Sequence, residues 1–204
     1  MTVAPPEARD AGTDEGEGTM ENPVIGLLAA RHGSRSFLPD PLPEEVVAEL
    51  IEAIRLTPSC FNNQPWRYLF LASPEALEKG RRALSRGNSW ADRAPLLVVG
   101  YSRPEDDCVI PDGRRYHEFD LGMATMDLIL AATARGLVAR PFAGFSPAKL
   151  KELFPEHIEG PARALVMLAV GRLSENEDHL PEEKKGLEQK PRVRKQAGEI
   201  VRRL

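Results

Sequence analysis

Two arginines bracket a short basic segment, Arg31-His32-Gly33-Ser34-Arg35, in which glycine frees the backbone. Two guanidinium forks around one loop make an anion clamp, because their geometry matches phosphate oxygens. Each charge-assisted hydrogen bond in such a clamp is worth roughly 1.5–3 kcal/mol. The same residues also read as a solvated basic helix end favoured by the helix dipole. About two dozen residues on stands Pro58-Ser59-Cys60-Phe61-Asn62-Asn63-Gln64-Pro65-Trp66. Its Ser59, Asn62, Asn63 and Gln64 supply donors and acceptors of the kind a heterocycle edge or a polyol needs. Taken alone, this loop also fits an Asn- and Pro-rich turn with Trp66 anchoring the following strand.

Further along, Pro141-Phe142-Ala143-Gly144-Phe145 closes a strand and opens a helix. A glycine there lets a ligand approach the main chain, and helix-start amides favour negative charge. An ordinary turn between aromatic core residues would have the same composition. Near the end, Lys190-Pro191-Arg192-Val193-Arg194-Lys195 is a basic cluster that also reads as a solvated tail.

Other chemistries lack support. The four histidines, His32, His117, His157 and His179, are scattered and form no metal-ligand spacing. There is no Gly-x-Ser-x-Gly elbow and no Walker loop, so hydrolase and P-loop readings have nothing to stand on. Cys60 and Cys108 are too few for a disulfide framework and point weakly to a reducing compartment. No Cys-His signature surrounds Cys60, so a packing or ring-contact role is expected of it. The net charge of −4 gives no basic face for nucleic acid. No apolar run is long enough to span a membrane, and the N-terminus lacks signal-peptide character, so a cytoplasmic setting is expected.

The elements that must position these residues are legible from periodicity and punctuation. Residues 1–20 carry no aromatic group and many acids, so a disordered acidic tail is expected. Asn22-Pro23 opens a helix, with Gly33 as its stop. Pro43-Glu44-Glu45 opens a second helix, whose Val46, Val47, Leu50, Ile51 and Ile54 form one apolar face ending at Thr57-Pro58. Strands are expected over 67–72, 96–101, 137–142 and 163–171, and helices over 74–84, 117–135 and 146–154. The helix over 117–135 is apolar nearly all round, which suits a deep core or an interface. Strands and helices alternate loosely within one composition regime, which gives a single mixed α/β or α+β domain over 21–204.

The order of the pieces carries more than any one of them. Arg-His-x-x-Arg, then Pro-Ser-x-x-Asn-x-Gln-Pro-Trp, then Gly87-Asn88 before Ala94-Pro95, Asp120-Leu121-Gly122, Gly136-Leu137, the Ala-Gly-Phe turn and Arg192-x-Arg194-Lys195 follow one another from about Asn22 to Val201. In that order they resemble the nitroreductase family of FMN-dependent oxidoreductases.

The resemblance implies an α+β fold in three α/β/α layers with a central, mostly antiparallel sheet. It also implies an interlocked homodimer with FMN at the interface and residues 175–204 packing on the partner. By the same resemblance Arg31 holds the FMN phosphate, with His32 and Gly33 beside it and Arg194, then Arg192, as distant counterparts. Arg35 approaches the pyrimidine edge, where a cation stabilises the reduced ring. Pro58, Ser59 and Cys60 line the ring from the other subunit, and Asn62 and Gln64 hold ribityl or ring polar atoms. Asn88 bonds the pyrimidine edge, and the Gly144 amide, next to Ala143, faces N5 and O4. Gly33 stands where the family commonly has serine, Cys60-Phe61 where smaller residues are common, and Ala143 where some relatives carry an acid.

The activity implied is ping-pong transfer of electrons from NADH or NADPH through FMN to nitroaromatic, quinone or similar electron-poor acceptors. The alternatives are a specialised flavin reductase or dehalogenase-type relative, and a flavin-binding or sensory module with little turnover.

Overall fold

The computed structural model describes residues 22–188 and 190–204. The expected acidic tail, residues 1–20, lies outside the described residues. Four strands build the frame: β1 (Trp66–Leu71), β2 (Leu96–Ser102), β3 (Val138–Phe142) and β4 (Arg163–Gly171). They hydrogen-bond in the order β1-β2-β4-β3, and all three pairings are antiparallel.

β2 is buried at every position and largely apolar, because helices cover both faces of the sheet. Leu97, Val99, Met167 and Ala169 face one core. It is closed by α3 (Pro74–Arg81) and α5 (Pro147–Leu153) through Leu77 and Leu150. Leu96, Val98, Leu168 and Val170 face the other. There α2 (Glu44–Leu56) contributes Leu50 and Ile54, and α4 (Tyr116–Ala134) contributes Leu121, Ala124, Leu128, Ile129 and Ala132. The register keeps the sides apart, with Leu97 opposite Ala169 and Val98 opposite Leu168. Three layers result, as the resemblance implied.

Local chemistry sets the boundaries. Asn22 caps α1 (Pro23–Ala30) by accepting the Val24 N–H at 3.0 Å. This helix stops at Arg31, earlier than Gly33, with the Arg31 N–H on Leu27 O. Gly136, at φ +68°, turns the chain out of α4 while the Leu137 N–H returns to Ala132 O at 2.9 Å. α4 is less uniformly buried than its composition suggested: Phe119 and Gly122 are exposed. The Pro58–Trp66 segment, expected to be wholly irregular, contains one tight 3-10 turn, Cys60–Asn62, before β1 begins at Trp66. Arg86–Arg93 forms a second such turn, kinked at Asn88, which the periodicity did not reveal.

Gly100 marks a register shift between β2 and β4. A Cβ there would lie 2.8 Å from Val166 Cγ1 and 2.9 Å from Tyr68 Cε1. Gly100→Ala is therefore an overpacking change, expected to cost about 1–3 kcal/mol. The check is a lowered urea midpoint at unchanged slope.

Candidate functional site

The segment after α1 is laid against the end of β4. Phe37 bridges Leu173, the Leu38 N–H bonds Arg172 O and the Ser174 N–H bonds Ser36 O. Ser36 Oγ donates to Asn176 O at 2.9 Å and the Ser36 N–H to Ser34 Oγ at 3.0 Å, which fixes the turn that presents Arg31 to Arg35. Arg140, on β3, reaches across to Gly33 O through Nη1. Its guanidinium lies 5.3 Å from the centroid of Trp90. Burial and the nearby charge of Arg35 push the Arg140 guanidinium below its ordinary value, and Glu188 opposes this. Arg35 is held by Glu188, which accepts its N–H at 3.1 Å and its Nη1 at 2.7 Å. Both side chains are largely buried.

Trp90 connects this cationic group to a second cluster. Its Nε1 donates to Asn88 Oδ1 at 3.1 Å, and Asn88 Nδ2 donates to Ser85 Oγ at 2.9 Å. Ser85 closes the corner by donating both its N–H (3.0 Å) and its Oγ (2.8 Å) to Gly144 O. Among the described residues, one N–H and one lone pair of Asn88 have no partner. Among the described residues no hydrogen bond uses the Gly144 N–H. A Cβ on Gly144 would fall 1.8 Å from Asn88 Nδ2, so the approach needs glycine. Ala143, beside it, is exposed.

Thus Arg31, His32, Gly33, Arg35, Asn88, Ala143 and Gly144 lie along one connected stretch through Arg140 and Trp90. His32 itself is exposed, with Nδ1 3.3 Å from Ala30 O. Of the late arginines, Arg192 reaches back, donating to Arg31 O and Ala29 O. Arg194 is exposed and bonds only the neighbouring Val193 O, at 3.0 Å.

The Pro58–Gln64 loop is held by a different set of contacts. No hydrogen bond or ion pair among the described residues joins it to Arg31–Arg35 or to Asn88 and Gly144. Pro58 is exposed and Ser59 half-buried, its Oγ accepting the Gln64 N–H at 2.9 Å. Gln64 Nε2 donates to Asn62 O and Oδ1. Phe61, Asn62 and Gln64 have φ of 50°, 58° and 49°. Left-handed backbone at non-glycine residues is uncommon, and such strain gathers at functional loops. Thr57 Oγ1 donates to Asp127 at 2.6 Å, and the Cys60 N–H to Asp120 at 3.2 Å, pinning the start of the loop to α4.

Cys60 requires a correction. Expected as a free packing or ring-contact residue, it is bonded to Cys108, with a Cα–Cα separation of 5.9 Å. Two cysteines are too few for a framework, but the fold brings this one pair together across 48 residues of sequence. Spacing carries no trace of such long-range proximity.

Residues that the sequence did not single out also matter: Ser85, Trp90, Arg140 and Glu188. For Ser85, Trp90 and Arg140 the signal was adjacency to the Gly87-Asn88 and Pro141–Phe145 segments; Glu188 adjoins neither. Asp120 was noted as part of a motif, but its hold on Cys60 was not foreseen. Burial pushes its carboxyl above the usual range; the Cys60 N–H opposes this and Asp107 adds to it. With the folded value above the unfolded one, folding takes up a proton. That contribution is fully present below about pH 4, the unfolded aspartate value, and is lost as pH rises through the folded value. Asp120→Asn keeps an oxygen for Cys60 and removes the charge. Its thermal stability relative to the parent is expected to improve as pH rises above about 4 and to level off once the folded carboxyl has titrated. A difference that is constant across pH in scanning fluorimetry would reject this account.

The chain is similar to known proteins in sequence and in fold. The nitroreductase family model matches residues 28–106. A Stenotrophomonas maltophilia protein named for the NADH dehydrogenase/NAD(P)H nitroreductase group is 33% identical over 148 residues, covering 63% of this chain and 74% of its own length. A Thermus thermophilus NADH dehydrogenase is 29% identical over 175 residues, covering 69% and 85%. Among solved structures, an oxidoreductase containing FMN superposes with a TM-score of 0.78 at 26% identity, over 93% of this chain and 96% of its own. Sequence, fold and the order of the site residues converge, and the chain belongs to the nitroreductase family.

Proposed function

We propose that the chain is an FMN-dependent oxidoreductase that takes electrons from NADH or NADPH and passes them, by a ping-pong sequence, to nitroaromatic, quinone or similar electron-poor acceptors. The observation that carries this reading is the corner at Gly144. An uncommitted main-chain amide lies beside a half-satisfied Asn88, where any Cβ would collide, and is linked through Trp90 to a group of arginines. Those donors fit a flat, hydrogen-bonding, anionic cofactor such as FMN.

In this reading Arg31, with His32 and the Gly33 turn, holds the phosphate, and Arg192 braces that turn by bonding Arg31 O. Arg35 and Asn88 meet the pyrimidine edge, with Glu188 orienting Arg35. When bound, FMN supplies the two-electron chemistry, accepting hydride from the nicotinamide and returning it to the acceptor. The protein orients the ring, donates hydrogen bonds to its polar edge and limits water.

Pro58, Ser59, Cys60, Asn62 and Gln64 complete the site from the partner subunit of a homodimer. That no hydrogen bond or ion pair among the described residues joins them to the arginine cluster within one chain supports that reading. So does α1, which buries none of its residues and exposes Val24, Ile25 and Leu28. The segment 175–204 ends in exposed Val193, Ile200, Val201 and Leu204, an apolar surface suited to packing on the partner.

The test is the visible spectrum of the purified protein, followed by anaerobic titration with each nicotinamide. Bound flavin that bleaches with NADH or NADPH, in a dimer by sedimentation, is the expected result. Colourless protein that stays apo when FMN is added overturns the proposal. Bound flavin that neither nicotinamide bleaches leaves a binding module and overturns the enzymatic part.

A further inference from the structure

The bond between Cys60 and Cys108 sits in an unusual setting. Cys60 is half-buried at the start of the strained loop, whereas Cys108 is only 5% exposed. Asp120, 1% exposed, accepts the Cys60 N–H at 3.2 Å through Oδ2, and its Oδ1 has no partner among the described residues. Asp107 Oδ1 accepts the N–H groups of Cys108 (2.8 Å) and His117 (2.9 Å), and His117 Nδ1 lies 2.7 Å from Ser102 Oγ. A chain with two full core layers has no need of a staple for stability. What the bond ties down is local: the 3-10 turn and the left-handed residues Phe61, Asn62 and Gln64, with Phe61 82% exposed.

We propose that Cys60–Cys108 is a reversible thiol–disulfide exchange site for a dithiol reductant, and that its reduction releases the Ser59–Gln64 loop. Within the single chain Cys60 is the more exposed of the two cysteines, which sets the direction of attack. A donor thiolate attacks Cys60 Sγ, forming a mixed disulfide; the Cys60–Cys108 bond breaks and Cys108 leaves as a thiolate that takes up a proton. The donor's second thiolate then attacks its own sulfur in the mixed disulfide, and Cys60 leaves and is protonated in turn. Two electrons and two protons pass to the protein, and the donor departs as a disulfide. Asp120 is a positioning residue here. It holds the Cys60 amide in place from α4 while the sulfur exchanges partners.

The exchange chemistry stands independently of the flavin; its bearing on turnover rests on the proposed function, in which this loop borders the cofactor. The experiment uses the full chain under native conditions. Thiols are counted with a chromogenic disulfide before and after dithiothreitol, and chymotryptic cleavage after Phe61 is timed in both states. The expected result is no reactive thiol before and two after, with cleavage faster by about tenfold or more on reduction, since proteolysis follows local opening. Cys108→Ser is expected to cleave as the reduced parent does and, after incubation with glutathione disulfide, to carry one glutathione on Cys60 by mass spectrometry, with one glutathione thiol released. Two free thiols in the air-purified protein overturn the proposal, as does a bond reduced only in denaturant or a cleavage rate that reduction leaves unchanged. The parent protein alone decides if the variant fails to fold. A parallel visible spectrum separates the two readings, because exchange in a colourless, FMN-refractory protein sinks the flavin assignment and leaves this one standing.

Discussion

Gly144→Ala is expected to weaken FMN binding by about tenfold or more while the sheet stays folded, because the lost contacts together exceed about 1.4 kcal/mol. The new methyl would fall 1.8 Å from Asn88 Nδ2, 2.6 Å from Asn88 Cγ and 2.9 Å from Ser85 Oγ. Asn88 is short and has nowhere to yield except by rotating away. Rotation breaks its bond to Ser85 Oγ and the one from Trp90 Nε1, each worth about 1 kcal/mol. It also withdraws the amide that the pyrimidine edge would meet. A second consequence separates this account from general damage. Asn88→Ala should lose a similar amount, and the double variant should lose little more, since both changes remove the same interaction. The measurement is FMN titration of apo protein by fluorescence quenching, beside far-UV circular dichroism. Fully additive losses, or unchanged affinity in Gly144→Ala, would defeat it.

Legibility followed the range of the interactions. Elements set by nearest neighbours were readable. Asn22 caps α1, Gly136 ends α4, and the apolar run at Leu96 became a strand buried on both faces. Arg163–Gly171 was placed to the residue. The motif order brought Arg35, Asn88 and Gly144 into view because each lies in a loop of unusual composition. What the sequence could not supply was anything made by distant residues. Glu188 meets Arg35 across 153 positions, Arg140 meets Gly33 across 107, and Cys60 meets Cys108 across 48. None of these pairs leaves a periodic trace, and each partner taken singly looks like an ordinary surface or core residue. The left-handed run at Phe61, Asn62 and Gln64 was equally hidden. Asparagine tolerates that conformation, but phenylalanine and glutamine adopt it only where the surroundings impose it. The restraints at Asp120, Asp127 and Cys108 all come from other parts of the chain.

Trp90 is where packing and site chemistry meet, and two substitutions should pull them apart. Its ring stacks on Phe37 at 6.3 Å, meets Phe142 edge-on at 5.2 Å and carries the Arg140 guanidinium at 5.3 Å. It is 4% exposed within the core under α3 and α5. Trp90→Ala leaves a large cavity and strips Arg140 of its apolar support, so a loss of about 3–5 kcal/mol is expected. Trp90→Phe keeps an aromatic ring in the core but loses part of the indole, including Nε1, which fixes the Asn88 side-chain amide. Its stability should fall by no more than about 1–2 kcal/mol, the scale of one lost hydrogen bond plus imperfect filling. Cofactor affinity should nonetheless drop in Trp90→Phe, because Asn88 is then anchored by Ser85 alone. Urea unfolding followed by circular dichroism gives the first quantity, and FMN titration of the apo forms the second. If Trp90→Phe binds as the parent does, the Trp90–Asn88 bond does not organise the site. If Trp90→Ala unfolds within about 1 kcal/mol of the parent, the ring is not the packing centre that its contacts describe.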